Sequence, residues 1–139
     1  MQNNPQPSSV SDFKKIKKPW GYEVVWAKST SSPGYIGKLL YINAGHRLSL
    51  QYHREKEETI FVKSGILHIE TVGRVIDVNN ITDMLKGSRK IHKLLPGDTF
   101  HVSRFMSHRF IAGESDVELI EVSTKQLDDV VRIEDDYER

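Results

Sequence analysis

The stretch GHRLSLQYHREKEETIFVKSG, from Gly45 to Gly65, contains the residues that decide the fold. Its segments SLQYH and TIFV have the composition of short strands, and the charged residues REKE between them indicate a turn. Because successive side chains of a strand point to opposite faces, Gln51 and His53 are expected on the same face. A hairpin at this turn would bring Glu58 back beside His53. A carboxylate that opens an otherwise apolar strand needs a cation or a hydrogen-bond donor if it is buried.

A second stretch, PGDTFHVSRFMSHRF from Pro96 to Phe110, places another histidine at the start of a strand-like segment. In a closed barrel, strands distant in sequence converge on the interior, so His108 could complete a site with Gln51, His53 and Glu58. Two neutral imidazoles and a carboxylate suit Fe, Mn, Co, Ni or Zn, and an amide oxygen is a weaker fourth ligand. A histidine in a strand is more often packed or hydrogen-bonded than bound to a metal, so spacing alone leaves both interpretations open.

The rest of the chain predicts an all-β sandwich or closed barrel. Short β-rich segments are separated by glycine-containing turns, a spacing typical of these folds. The predicted strands are 22–26, 38–42, 49–53, 59–63, 66–71, 99–103, 108–111, 117–122 and 130–133. One short helix is predicted across Asn80 to Lys86, with Asn80 as its N-cap and Gly87 as its stop. The basic cluster KKIKK before the first of these strands is interpreted as a solvated face or the entry to that strand.

Composition limits the classes of function. The chain has 139 residues, a formal net charge of +1 and no cysteine. One domain is therefore expected, over residues 12–139, after a polar N-terminal tail, residues 1–11, that is predicted to be disordered. The charge balance argues against a nucleic-acid or anionic-membrane binder, and no apolar run is long enough to span a membrane. Without cysteine there is no thiolate ligand or nucleophile, and without a secretory signal we expect a cytoplasmic protein.

The two stretches resemble the paired motifs of the cupin superfamily. Gly45, His53, Glu58 and Gly65 fall on the positions of the first motif, with Gln51 in place of its first histidine. In the second motif Gly97 and His108 match, whereas Ser103, Phe105 and Ala112 stand at its proline, glycine and asparagine positions. The resemblance implies a single-domain, all-β cupin barrel (a double-stranded β-helix or jelly roll). It also implies one divalent metal ion, held by Gln51, His53, Glu58 and His108.

Within that superfamily the chain is most similar to the type II phosphomannose isomerases, whose cupin domain is often fused to mannose-1-phosphate guanylyltransferase. The similar pieces are KPWGYE, GKLLYINAG with LSLQYH, SHRF and DDVVRIEDDYER. The resemblance implies an aldose–ketose isomerase for mannose 6-phosphate and fructose 6-phosphate, in which the metal stabilises an enediolate. No glycine-rich nucleotidyltransferase signature is present, so guanylyl transfer is not expected.

The chain also departs from that branch. Arg54, Glu55 and Lys56 stand where the family has two histidines and an arginine, and Thr59 replaces a further histidine. The segment between Gly65 and Gly97 is longer than expected, with the extra length within residues 72–93. The resemblance therefore supports the inferred fold and metal more strongly than it supports the inferred substrate.

Candidate residues for substrate chemistry follow from the same resemblance. His101 is a candidate acid/base because it lies near His108 in sequence, although its strand leaves open which face it occupies. A sugar phosphate would need cations at the barrel mouth, and the candidates are Lys38, Arg47, Arg109 and Arg132. Arg109 is equally well explained as a structural salt bridge, and Arg132 as a partner of the acidic C-terminal segment.

The chain is expected to form a homodimer, because cupin edge strands and apolar faces commonly pair.

Two other functions remain open. His53, Glu58 and His108 alone are the two-histidine, one-carboxylate set of non-haem Fe(II) dioxygenases. A non-catalytic metal- or sugar-binding module would explain the departures around Lys56 and Thr59.

Overall fold

The computed structural model describes residues 5–139, and these form eleven strands and one short helix. The strands are β1 (Lys15–Lys18), β2 (Gly21–Ser29), β3 (Tyr35–Ile42), β4 (Leu50–Tyr52), β5 (Glu58–Ser64), β6 (Leu67–Arg74), β7 (Lys90–Leu94), β8 (Thr99–Val102), β9 (Met106–Ala112), β10 (Val117–Ser123) and β11 (Val131–Glu134). The helix α1 is Ile81–Leu85. Two 3-10 turns, Val10–Asp12 and Val78–Asn80, precede β1 and α1.

The strands pair into two antiparallel sheets. The first has the order β1-β2-β3-β10-β5-β8 and the second the order β11-β4-β9-β6-β7. Many neighbours are distant in sequence, as in the pairs β3 with β10 and β4 with β9. The predicted all-β, single-domain architecture is therefore confirmed. Each of the two stretches singled out in the sequence contributes one strand to each sheet, so that β4 pairs with β9 and β5 pairs with β8.

The interior is apolar along one half of β3 and β10 and polar along the other half. On β10 the alternation that buries Val117 and Leu119 also buries Glu121. On β3 the partner of Leu119 is Leu40, and the partner of Glu121 is Lys38. Because aligned strands change from apolar to polar at the same level, the apolar core lies at one end of the interior and a polar site at the other.

A glycine turn connects the two sheets. Gly65 lies between β5 and β6 with a φ of +79°, a left-handed conformation that glycine adopts without steric cost. A Cβ at this position would lie 2.2 Å from the carbonyl oxygen of Asp116. The turn therefore requires glycine both for its conformation and for the close approach of the neighbouring backbone.

The nine predicted strands are all present with shifted ends, and two further strands were missed. β1 is the KIKK part of the basic cluster, an edge strand whose side chains are mostly exposed, so no apolar alternation marks it. β7 is a second edge strand, with exposed Lys90 and Lys93. The predicted helix is present as α1, but the side-chain cap belongs to the preceding 3-10 turn and comes from Asp77 rather than Asn80.

The N-terminal tail is described only in part. Residues 1–4 lie outside the described residues, and Ser9 and Asp12 cap the 3-10 turn Val10–Asp12. The predicted disorder of residues 1–11, and the boundary at residue 12, stay predictions. Within residues 5–139, no helix is long and apolar enough to cross a membrane.

Candidate metal centre

Three buried side chains converge at the polar end of the interior. Glu58 opens β5, and its Oε1 lies 3.7 Å from Nε2 of His53 and 3.4 Å from Nε2 of His108. The three donor atoms all lie within 4.8 Å of one another. We call these residues the His–Glu–His cluster. His53 directly follows β4, Glu58 begins β5 and His108 lies on β9. The pairing of strands within the two sheets brings these three positions close together.

Each histidine of the cluster is oriented by a backbone carbonyl. Nδ1 of His53 lies 2.6 Å from the carbonyl oxygen of Asp129, and Nδ1 of His108 lies 2.9 Å from that of Met106. A carbonyl oxygen only accepts, so each Nδ1 carries the proton and each Nε2 is left with a free lone pair. Both Nε2 atoms are buried and have no hydrogen-bond partner. Two orphaned lone pairs aimed at one carboxylate oxygen are the arrangement that a metal ion satisfies.

The donor set fits a divalent first-row metal. Bonds of about 2.0–2.2 Å to nitrogen and oxygen place neighbouring donors about 3–3.5 Å apart, close to the observed separations. Neutral imidazoles and a carboxylate suit Fe, Mn, Co, Ni and Zn. Gln51 lies directly opposite His108 in the β4–β9 pair, on the same side as the cluster, which is the position predicted for a fourth ligand. The cluster could therefore hold a metal ion.

A cavity of about 520 Å³ opens onto the cluster. His53, Glu58 and Gln51 line it, while His108 is completely buried beside them. Its other walls include apolar side chains, from Trp20, Leu40, Leu48 and Phe110. A volume in this range suits a small-molecule ligand.

Two of the four predicted phosphate cations line this cavity. Lys38 projects inward from β3, and its Nζ lies 3.4 Å from Glu23 Oε2. Arg132 lies on β11, opposite Gln51 of β4. The predicted pairing of Arg132 with the acidic C-terminal segment is not seen among the described ion pairs. Lys38 and Arg132 are thus on the same cavity as the cluster.

The other two cations are held elsewhere by the C-terminal segment. Arg47 Nε lies 2.6 Å from Asp136 Oδ2. Arg109 is 1% exposed, and its Nε and Nη2 donate to the carbonyl oxygens of Leu48 and Glu134. Because Arg109 follows His108 in a regular strand, its side chain points to the opposite face. Neither arginine lines the cavity, which corrects their placement at the barrel mouth.

His101 is also not brought to the cluster. On β8 the neighbouring Val102 is fully buried, so alternation turns His101 outward, where its side chain is 53% exposed. Its Nδ1 lies 3.0 Å from Thr59 Oγ1 across the β5–β8 pair, and its Nε2 lies 3.6 Å from Glu57 Oε2. Closeness to His108 in sequence therefore does not make it part of this site.

Solved structures identify the architecture, although no protein-family model and no curated protein matches the sequence. KdgF from Halomonas sp. matches with a TM-score of 0.65 and 17% identity, over 85% of this chain and 93% of KdgF. The capsular polysaccharide assembling protein CapF from Staphylococcus aureus matches with a TM-score of 0.70 and 15% identity, over 88% of this chain and 34% of CapF. An oxalate decarboxylase from Bacillus subtilis matches with a TM-score of 0.67 and 17% identity, over 89% of this chain and 31% of that enzyme. The chain has the cupin fold.

The cupin expectation from the sequence is thus confirmed at the level of the fold. This chain spans about a third of the length of CapF and of the oxalate decarboxylase, and nearly all of KdgF. The finer resemblance, to the phosphomannose isomerases, is not shown by these matches.

Two of the charged residues on the cavity wall that the sequence analysis did not assign to the site lie next to Glu58. Nζ of Lys56 lies 2.9 Å from Glu58 Oε2 and 3.2 Å from Glu121 Oε2. Burial alone would lower the pKa of Lys56, but the two carboxylates together raise it. Burial raises the pKa of Glu121 to about 8, and the neighbouring Glu58 adds to the rise. Burial opposes ionisation of Glu58 too, but the neighbouring imidazoles of His108 and His53 and the ammonium of Lys56 hold its pKa well below the usual range.

Of these two, Glu121 could have been found from the sequence and Lys56 could not. In VELIEVS, Glu121 has the same parity as Val117 and Leu119, so it belongs to the buried face of its strand. Lys56 lies in the turn before β5, where the sequence has no periodicity that fixes a side-chain direction.

Asp129 supports both the cluster and this lysine. Its carboxylate accepts from the backbone N–H groups of Arg54, Glu55 and Lys56 at 3.1, 2.6 and 2.8 Å. Burial opposes ionisation of this carboxyl, but the three donors lower its pKa below the usual value. Its carbonyl oxygen is the one that orients His53. One residue of the C-terminal segment therefore fixes the turn that carries Lys56 and the imidazole of His53.

Proposed function

We propose that the protein is a metal-dependent sugar-phosphate isomerase of the mannose 6-phosphate/fructose 6-phosphate type. The observation that carries the proposal is the pair of orphaned imidazole nitrogens facing Glu58 at the wall of a cavity that also presents Lys38 and Arg132. A metal centre and two cations on one cavity match a substrate with adjacent oxygens at one end and a phosphate at the other.

Each group of residues at the cavity would have a separate role in this reaction. His53, Glu58 and His108 would hold the metal with Gln51, and the bound metal would polarise the substrate's carbonyl and neighbouring hydroxyl oxygens. Lys38 and Arg132 would bind the phosphate. Glu121 lines the cavity and would move a proton between adjacent carbons, in place of His101, which lies on the outer face. The apolar walls would limit water at the reacting carbons.

The comparison with CapF adds support for a carbohydrate ligand, because that protein's name refers to capsular polysaccharide assembly. The match is in fold, so it supports the class of ligand and not the reaction. Sugar hydroxyls would also find donors and acceptors in the charged inner wall formed by Glu23, Lys38 and Glu121.

A non-haem Fe(II) dioxygenase is the second candidate. The cluster consists of two histidines and one carboxylate, the set that suits iron and oxygen chemistry. Gln51 as a fourth ligand would leave less room for both oxygen and a chelating substrate, which places this function second. A non-catalytic metal- or sugar-binding cupin is the third.

The test is a coupled assay of mannose 6-phosphate conversion to fructose 6-phosphate, with Mn²⁺, Co²⁺, Zn²⁺ and Fe²⁺ added separately. We expect metal-dependent turnover that is lost in His53→Ala and in His108→Ala and retained in the control His68→Ala. Protein that binds metal but turns over no sugar phosphate with any of the four ions would refute the isomerase. Oxygen consumption with Fe²⁺ would then support the dioxygenase, and its absence the binding module.

The expected homodimer and cytoplasmic location remain part of this proposal. Light scattering of the purified protein would test the dimer, and a mass of 16.0 kDa would correspond to the monomer.

A further inference from the structure

Lys56 is a buried charged group of the cavity that the proposed reaction does not use. Its side chain is 7% exposed, and its ammonium bridges Glu58 and Glu121 at 2.9 and 3.2 Å. The contact with Glu58 is made to Oε2, whereas Oε1 faces the two histidines. The two oxygens of one carboxylate thus face two different cation positions, a lysine ammonium and the candidate metal.

This arrangement changes the charge of the site. In a cluster of two neutral imidazoles and one carboxylate, Glu58 is the only anionic ligand, and its charge accounts for much of the attraction for a divalent ion. Here an ammonium on the far oxygen already balances that charge. Both groups are buried, where charges interact more strongly and salt screens them less than at a surface. A metal ion that entered would meet a fixed positive charge across the same carboxylate.

We propose that Lys56 sets the metal affinity of the centre: its ammonium keeps the site charge-balanced without metal and makes the bound ion more readily exchangeable. The loaded site also carries one more positive charge than a cluster with a neutral residue at this position, which favours an anionic oxygen ligand. The inference rests on the metal-binding part of the proposed function and not on the identity of the substrate.

The test is the dissociation constant for Zn²⁺ and for Mn²⁺, measured by competition with a chromophoric chelator at neutral pH. Lys56→Met removes both the charge and the donor to Glu58, whereas Lys56→Gln removes the charge and keeps a donor. We expect both variants to bind each ion about tenfold more tightly or better, the scale of effects from groups next to metal ligands. Lys63→Met, an exposed lysine on β5 whose partner is Glu118, is the matched control and should leave both constants unchanged.

The outcomes separate the two proposals. Unchanged or weaker binding in Lys56→Met, or tighter binding in Lys56→Met alone, overturns the charge argument. If the wild type binds no metal and both neutral variants do, the lysine inference stands and the metal-dependent reaction fails. If none of the proteins binds metal, both fail. Near-ultraviolet circular dichroism of each variant establishes that it is folded, and Lys56→Gln keeps the test usable if Lys56→Met does not fold.

Discussion

Substituting Glu121 by glutamine should change how stability depends on pH. Burial and Glu58 raise the pKa of Glu121 from an ordinary value of 4.5 to about 8. Between pH 4.5 and about 8 the folded protein keeps a proton on Glu121 that the unfolded chain has released. The stability that this group contributes is fully present below pH 4.5 and is lost as the pH rises through about 8. For one such group the loss between about pH 5 and about pH 8 amounts to about 3–4 kcal/mol. Glu121→Gln stays neutral and should lack this loss.

The assay is urea unfolding at several pH values across that interval, on protein kept metal-free with a chelator. The informative quantity is the difference in unfolding free energy between Glu121→Gln and the wild type, which should grow in favour of the variant as pH rises. Glu118→Gln, on the same strand but paired with Lys63 at the surface, is the matched control and should follow the wild type. Parallel pH curves for Glu121→Gln and the wild type would refute the assignment of Glu121 as the buried, proton-retaining carboxyl.

Three further substitutions test the roles assigned by position. Asp129→Ala leaves three backbone N–H groups without their acceptor, so it should cost about 1–3 kcal/mol in urea unfolding. Arg109→Met should destabilise the fold by about 2–4 kcal/mol, because the carbonyl groups of Leu48 and Glu134 lose their donor, with little change in metal affinity. His101→Ala should leave Zn²⁺ affinity and any isomerase activity at wild-type levels, and a large loss in either would contradict its placement on the outer face.

The features that could be predicted from the sequence are those governed by short-range alternation and turn chemistry. The strands that bury one face, such as β5 and β10, have apolar residues at every second position, and the glycine turn at Gly65 has only one favourable residue. Edge strands β1 and β7 lack that alternation because both of their faces carry exposed charges, so their composition does not distinguish an edge strand from a solvated segment.

The candidate site was predictable in its ligands and not in its surroundings. Because Gln51, His53 and Glu58 are close in sequence, the alternation of side chains along a strand and one hairpin predict that they lie near each other. Closure of the barrel then brings His108 to the same site. Which side chains of the other strands and turns face the cavity depends on the order of strands in the sheets and on the conformation of the turns. The spacing of residues in the sequence determines neither. For that reason Lys56 was seen only as a departure from a motif, and His101 was placed in the site by its closeness to His108.

The acidic C-terminal segment shows how far the site extends beyond its motifs. The sequence of residues 128–139 predicts a capping strand and a solvated tail, and its resemblance to the family implies a contact with the barrel. In the structure Asp129 orients His53 through its carbonyl and holds the turn of Lys56 through its carboxylate, while the carbonyl of Glu134 accepts from the buried Arg109. Beyond β11, Asp135 pairs with Arg139 and Asp136 pairs with Arg47. Because these contacts connect the last strand to both β4 and β9, the segment that closes the barrel also positions the groups on which metal binding would depend.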